Sequence, residues 1–240
     1  MTNVPSVRGW SRFVLRFLII ASWVLVLSIP APSRADELKR AIRQLDQGRA
    51  EAALLTLSKL LERAGPSVAP GEKNLESLGV ALLYRAVAEY QVGKPREARW
   101  SWQMAKQFFP DLEGMDLSSL GPANEFLKAQ SVVEPEIQFG GPVHSSELPE
   151  GLTAPEKIHA PAPRYSEGSR SHGFTGIVRV SAVVREDGTL DDPRVVEPWP
   201  APSLVYSTLD SLRQWRFRPA ERVGVPIPIR YLIWINYKLE

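Results

Sequence analysis

The hydrophobic periodicity of this 240-residue chain changes across a proline-rich stretch, and that change constrains the fold more than any other feature. Residues 36–130 are rich in Ala, Leu, Glu and Arg in the pattern typical of helices. Residues 176–239 instead contain runs in which apolar and polar residues alternate, which is typical of strands. The change predicts an α+β protein with an all-helical module, a Pro-rich linker over residues 131–160 and a small sheet-bearing domain over residues 161–240.

Residues 1–35 have the composition of an export segment. Arg8, Arg12 and Arg16 precede an apolar run over residues 17–29, and Ser33 and Ala35 are small residues at the spacing that a signal peptidase requires. The run has 13 residues without a charge, whereas a membrane-spanning helix needs roughly 20. A cleaved signal peptide is therefore favoured over a retained inner-membrane anchor, and both interpretations place the rest of the chain in the periplasm.

Charge and cysteine content argue against several functions. Only 4 of the 29 basic residues, and none of the 27 acidic ones, precede Asp36. The remaining chain is slightly acidic, so nucleic-acid binding, which needs a basic face, is not expected. The absence of cysteine excludes a disulfide framework and thiol catalysis. His144, His159 and His172 lack partners at ligand spacing, so neither a metal nor another cofactor is expected.

No combination of residues predicts catalysis. The sequence contains no recognisable nucleophile and base, and "GFTG" at residues 173–176 lacks the lysine and helix of a nucleotide-binding loop. Two pairs of adjacent carboxylates, at residues 186–187 and 191–192, are predicted to be solvated turn residues. The chain is therefore predicted not to be an enzyme.

Two helical segments align with each other when Gly48 and Gly93 are taken as equivalent turns. Small residues fall at the same distances from both glycines, and Pro110 closes the second copy. Small side chains let two antiparallel helices approach closely, so this spacing resembles the tetratricopeptide repeat. The equivalent positions are Ala41 and Ala86, Ala53 and Ala98, Leu57 and Trp102, and Leu60 and Ala105. A short helical module, with a generic helical hairpin as the alternative, is predicted over residues 36–130.

The C-terminal part predicts the order strand, strand, helix, strand. "GIVRVSAVVRE" alternates as a half-buried strand, and a turn at Asp187-Gly188 leads into the short strand "DPRVVEP". Ser203 is predicted to cap the next helix, whose core positions are Val205, Leu209 and Leu212. The final strand begins at Ile229. The positions expected to face the core are Val178, Val180, Ala182 and Val184 in the first strand and Ile229, Tyr231, Ile233, Ile235, Tyr237 and Leu239 in the last.

The segment "RQWRFRPA", residues 213–220, joins that helix to the following strand region. Trp215 and Phe217 are two residues apart, so in an extended chain both point to the core while Arg216 and Arg218 point to solvent. The segment therefore predicts a structural signature rather than a surface that stacks on bases.

These motifs resemble, in their order, the C-terminal domain of TonB, the periplasmic energy transducer of Gram-negative bacteria. The resemblance covers residues 161–239, and its most specific part is W-x-F-x-P-A between a leucine-bearing helix and a G-x-P turn. The matching segments are "PRYS", "GIVRVSAVVREDGTL", "PRVVEP", "LDSLRQWRFRPA", "VGVPIP" and "YLIWINYKL".

The resemblance implies that the last strand captures an extended segment of an outer-membrane transporter or another envelope protein, in support of energy-dependent transport. For Leu232 and Trp234, packing against a helix, the repeat module or a second copy in a homodimer is the alternative. The candidate partner-binding residues are Tyr165, Arg230, Leu232, Trp234 and Asn236.

Two departures from the family pattern leave a second function open. The N-terminal segment has Ser22 but no histidine, whereas the resemblance implies both where a membrane helix couples to an inner-membrane proton-driven motor complex. The helical module also stands where the family tends to have a long Pro-rich spacer. The alternative is a non-transducing periplasmic scaffold in which the repeats and the C-terminal domain bind protein partners.

Overall fold

The structure is a computed structural model that describes residues 33–129, 135, 138–139, 148, 150–196 and 199–239. From Arg34 onward the chain forms one compact unit. The apolar run at residues 17–29 and His144 lie outside the described residues, so what the sequence analysis states about them remains a prediction.

The first half is helical, as the sequence predicts. Short 3₁₀ turns lie between the helices at Gly65–Ser67, Pro110–Glu113 and Ser118–Leu120. The helices are α1 (Arg34–Asp46), α2 (Ala50–Ala64), α3 (Glu72–Gln91), α4 (Pro95–Phe108) and α5 (Pro122–Lys128).

Helices α1 and α2 form one hairpin and α3 and α4 a second, and the two turns have the same geometry. Gly48 and Gly93 adopt φ of 69° and 74°, the left-handed region that glycine enters without penalty. At each turn the glycine N–H donates back to a carbonyl of the preceding helix, and the next residue's N–H donates to the carbonyl five residues before it. The five alanines at the equivalent positions are fully buried. The repeat-like spacing thus corresponds to two equivalent hairpins.

The described residues of the second half form nine short or medium strands and two helices. The helices are α6 (Glu167–Ser171) and α7 (Pro202–Leu212). The strands are β1 (Gln138–Phe139), β2 (Leu152–Thr153), β3 (Glu156–His159), β4 (Gly176–Val184), β5 (Leu190–Val196), β6 (Arg216–Arg218), β7 (Ala220–Arg222), β8 (Val225–Ile227) and β9 (Ile229–Tyr237).

The main sheet has the order β1-β9-β4-β5, in which β9, β4 and β5 are the antiparallel strands predicted from the sequence. The four predicted inward residues of β4 and the three of α7 are all fully buried, which confirms both periodic patterns. A short parallel strand, β1, adds to β9 opposite Arg230 and Tyr231. Since β1 has two residues, no alternation in its sequence could have predicted it.

The aromatic signature packs as predicted. Trp215 and Phe217 are each 3% exposed, while Arg216 and Arg218 lie at the surface. The indole Nε1 of Trp215 donates to the Pro161 carbonyl at 3.0 Å. This hydrogen bond holds the first residues of the domain against its core. The segment is therefore a structural core element.

Residues 152–159, placed in the predicted linker, form strands in the structure. Strand β2 pairs with β7, and β3 pairs with β6, both antiparallel. The strands are short, and all four residues of β3 are exposed, so the sequence carried no burial period to identify them.

The start of α7 differs from the prediction. Pro202 is the first helical residue and Ala201 is the N-cap, whereas Ser203 lies inside the helix, where it is 1% exposed. The Ser203 hydroxyl lies 2.9 Å from that of Ser169. Proline favours the first position of a helix, so the helix begins at Pro202 and Ser203 is not its N-cap.

The helical hairpins pack directly on the sheet-bearing domain. The Trp100 indole donates to the Leu209 carbonyl at 3.1 Å, and the Gln107 side chain accepts the Val195 N–H at 3.0 Å. Gly65 lies so close to the Tyr206 ring that an added Cβ would stand 2.2 Å from it. Helix α4 therefore covers the β5 edge of the main sheet and part of α7.

Candidate functional site

The two edges of the main sheet differ in accessibility. Along β5, helix α4 occupies the edge through the Gln107 contact with Val195 and through an ion pair at 2.7 Å between Arg99 and Asp191. Along β9, strand β1 pairs only with Arg230 and Tyr231. In the described part of the chain, residues 232–237 have a strand partner on the β4 side alone. This second half of β9 is named the open edge.

Exposed side chains follow the open edge at alternate positions. Trp234 is 52% exposed and lies opposite Arg179 of β4, and Asn236 is exposed opposite Ile177. Leu232, two residues earlier, is half-buried opposite Ser181. A large aromatic ring held at the surface of a regular strand is an unusual exposure for a monomeric fold and is typical of an interaction site.

Arg230 lies inside the domain. Its guanidinium is 7% exposed, forms a 2.5 Å ion pair with Asp192 and reaches the hydroxyl of Ser181 at 3.5 Å. The structure therefore separates Arg230 from the other sequence-predicted site residues and assigns it a contact within the chain.

Tyr165 lies beside the other end of β9. Its hydroxyl donates to the Phe174 carbonyl at 2.6 Å, and its ring packs edge-to-face on Tyr237 at 5.3 Å between centroids. The Arg170 guanidinium stacks over the Tyr165 ring at 5.0 Å. Tyr165 and Asn236 thus line the same groove.

This groove, named the strand-end groove, has a volume of about 610 Å³ and runs between residues 162–165, Arg170 and the end of β9 at residues 235–239. Burial raises the pKa of Tyr237 to about 12, with the hydrogen bond from Thr208 opposing the shift. Tyr237 therefore stays neutral over the physiological range. Arg170 and Lys238 give the groove a positive charge, which favours a neutral or acidic segment of a partner.

The described residues contain no group of three His, Cys, Asp or Glu side chains placed to hold a metal ion. His159 and His172 are both exposed, and Nδ1 of His172 lies 2.7 Å from the Gly168 carbonyl.

Residues 161–239 match the family model described as Gram-negative bacterial TonB protein C-terminal. The C-terminal third of the chain is a TonB C-terminal domain. Among solved structures, the solution NMR structure of the Pseudomonas aeruginosa TonB C-terminal domain is 22% identical, with 38% of this chain and 90% of that chain covered and a TM-score of 0.32. No curated protein matches this chain.

Membership of the TonB C-terminal domain family places the domain in a group of non-enzymatic, envelope-associated proteins that serve transport. Domains of this family are periplasmic and bind proteins. None of the helices in the described part of the chain is long and apolar enough to span a membrane.

Sequence reasoning missed the burial of two carboxylates of the TonB domain. Asp191 and Asp192 are 7% and 4% exposed, so the prediction that they are solvated turn residues is wrong. Asp191 accepts from Arg99 and Arg185, and Asp192 pairs with Arg230 and Arg194. Arg99 and Arg230 come from distant segments, so spacing around the carboxylates carried no signal of these two partners.

Proposed function

We propose that the chain is a TonB-like periplasmic protein that binds an extended segment of an outer-membrane transporter by strand addition at the open edge. The observation that carries the proposal is the asymmetry of the sheet, in which α4 covers one edge while residues 232–237 keep one side without a strand partner among the described residues. An added strand gains affinity from backbone hydrogen bonds, because an unpaired edge presents free N–H and C=O groups.

Selectivity comes from side chains that alternate along the incoming strand. On one face of the sheet these meet Trp234 and Asn236, and at the end of β9 they meet the strand-end groove beside Tyr165. A partner segment with an apolar or aromatic residue for Trp234 and an acidic residue for Arg170 and Lys238 fits this surface. Arg230 contributes indirectly, since its pair with Asp192 holds the start of β9.

Site-specific photocrosslinking in the native envelope tests this proposal. A photoreactive amino acid at position 234 or 236 is expected to crosslink to an outer-membrane transporter, because both side chains are exposed beside the open edge. Leu55 on α2, 57% exposed and remote in sequence from the TonB domain, is the matched control position. Equal crosslinking of the transporter from positions 55 and 234, or none from 234 and 236, would contradict strand addition.

The N-terminus decides between energy transduction and the scaffold function. The signal-peptide pattern predicts that the mature protein begins at Asp36, which intact-mass measurement of protein from the envelope detects. A mature chain starting there cannot couple through a membrane helix, and the open edge would then serve a periplasmic scaffold. Retention of residues 1–35 together with crosslinks to a proton-driven motor complex would exclude the scaffold.

A further inference from the structure

A small cavity lies where the first turn of α4 meets the TonB domain, and its lining is strongly cationic. It has a volume of about 160 Å³ and is named the seam pocket. Among its lining residues only Glu97 and Asp191 are acidic. Five are arginines, from both halves of the chain: Arg96, Arg99, Arg185, Arg213 and Arg216.

One carboxylate serves two of these guanidinium groups. The same oxygen of Asp191, Oδ2, accepts from Arg99 at 2.7 Å and from Arg185 at 2.8 Å. A single negative charge balances one of these two cations, so an excess of one positive charge remains at this carboxylate, whereas Arg96 is balanced by its ion pair with Asp187. Since arginine stays protonated at any physiological pH, the excess cannot be removed by loss of a proton.

Arg213 also lines the pocket, and two carboxylates balance it together with Arg85. Arg213 pairs with Glu89 at 2.8 Å, and that carboxylate also binds Arg85 at 3.0 Å. Asp210 approaches the same two arginines only at 3.6 and 3.8 Å. Arg216 donates to the backbone carbonyls of Trp215 and Arg213, at 2.7 and 3.4 Å. These carbonyls carry no net charge to balance it.

Two nitrogen donors of the pocket arginines have no hydrogen-bond partner among the described residues, although they are shielded from solvent. They are Nε of Arg99 and Nη1 of Arg213. A buried donor without an acceptor is costly, and a charged one more so. The seam pocket therefore combines surplus positive charge with unused guanidinium donors.

We propose that the seam pocket binds a phosphate-class oxyanion. Guanidinium forks match the oxygens of such a group bidentately, and several forks around one cavity favour a dianion. The cavity holds about five waters at the roughly 30 Å³ that each occupies in the liquid. That is room for one phosphate group with a little water.

The phosphate group can belong to free inorganic phosphate or to the phosphomonoester headgroup of a membrane lipid. Both present the same tetrahedral dianion to the arginines, so the seam pocket recognises the shared chemistry. The pocket joins α4 to the TonB domain, so a bound anion also strengthens the contact between the two halves of the chain.

Titration calorimetry of the full-length protein with inorganic phosphate, at ionic strength matched with chloride, tests the site. We expect saturable binding of one phosphate. Arg216→Gln removes a surface guanidinium that contacts no carboxylate in the described part of the chain, and is expected to weaken binding about tenfold or more. Arg99→Gln is expected to weaken it further. Arg40→Gln is the matched control, because it removes one positive charge from the exposed side of α1. We expect it to leave phosphate binding unchanged.

Melting temperatures separate a lost site from a lost fold, since Arg99→Gln also breaks the pair with Asp191. Absence of saturable phosphate binding by the wild type would overturn the proposal. So would an affinity that neither Arg216→Gln nor Arg99→Gln changes while both variants stay folded.

Cosedimentation with vesicles containing phosphatidic acid distinguishes the two sources. Binding that phosphate displaces and Arg216→Gln weakens identifies a lipid headgroup as an occupant. Binding of inorganic phosphate in calorimetry without vesicle binding identifies the free anion. Either result supports the seam pocket as an oxyanion site.

Discussion

Replacement of Asp192 by asparagine is expected to lower the free energy of unfolding by about 3–5 kcal/mol, the cost of removing one partner from a buried ion pair. Asp192 and Arg230 have side chains only 6% and 7% exposed, and their pair is 2.5 Å long. Asparagine keeps the shape of aspartate and removes the charge that the guanidinium needs. Denaturation in urea, followed by circular dichroism, measures the loss.

Asparagine is the informative replacement because of the backbone at this position. Asp192 adopts φ of 44°, a left-handed conformation that asparagine tolerates about as well as aspartate. The substitution therefore tests the charge without adding strain. Glu156→Gln is the matched control, since Glu156 and its partner Arg218 are 63% and 65% exposed, and we expect a loss of no more than about 1 kcal/mol.

A double variant separates the lost charge from other effects. Replacing Arg230 by methionine in the Asp192→Asn background removes the uncompensated cation and is expected to recover much of the stability, because apolar replacements of a buried pair are often neutral. If Asp192→Asn costs as little as Glu156→Gln, the buried pair does not stabilise the start of β9, and Arg230 would be available for a role at the open edge.

The elements that sequence predicted well are those with a local period. Val178, Val180, Ala182 and Val184 occupy alternate positions and are all fully buried in the sheet. The signature around Trp215 likewise follows from two aromatic residues two apart in an extended chain. Such patterns depend on which face of a single element is buried, and this information is contained in consecutive residues.

The buried charges could not be predicted in the same way, because they depend on contacts between distant elements. Asp191 is 92 residues from Arg99, and Asp192 is 38 residues from Arg230. Their sequence neighbours suggested a polar turn. The packing of α4 against β5 brings Arg99 to Asp191, and the packing of β9 beside β4 and β5 brings Arg230 to Asp192. Neither contact has a periodic signal.

The candidate site was predicted in part for the same reason. Alternation along β9 put Arg230, Leu232, Trp234 and Asn236 on one face, and the structure keeps Trp234 and Asn236 exposed there. Arg230 is the exception, because a register shift between Ser181 and Val183 accompanies the unusual backbone of Asp192 and brings a carboxylate to it. The irregularity lies in the pairing of β4 with β5, so the alternation along β9, from which the prediction was made, carried no sign of it.

Gly188→Ala is expected to destabilise the TonB domain by about 2–5 kcal/mol, the sum of two independent penalties. Gly188 has φ of 75° in the turn between β4 and β5, which costs an alanine about 1–2 kcal/mol. An added Cβ would also stand 1.8 Å from the carbonyl oxygen of Phe217, a clash that would add about 1–3 kcal/mol by overpacking.

Phe217 has little freedom to move away from such a Cβ. Its N–H donates to the Gly188 carbonyl at 2.8 Å, its backbone pairs with Lys157 of β3, and its ring is 3% exposed. The turn glycine and the aromatic signature are therefore coupled through the backbone. An alanine at position 188 would push on the segment that anchors Trp215 and Phe217.

Gly224→Ala separates the two penalties. Gly224 has nearly the same φ, 78°, but no atom within 4 Å of an added Cβ, so only the backbone cost of about 1–2 kcal/mol is expected. Urea denaturation of both variants gives the clash as the difference between their free energies of unfolding. A difference near zero would mean that Phe217 shifts freely, and that the signature segment is held less rigidly than its hydrogen bonds and burial indicate.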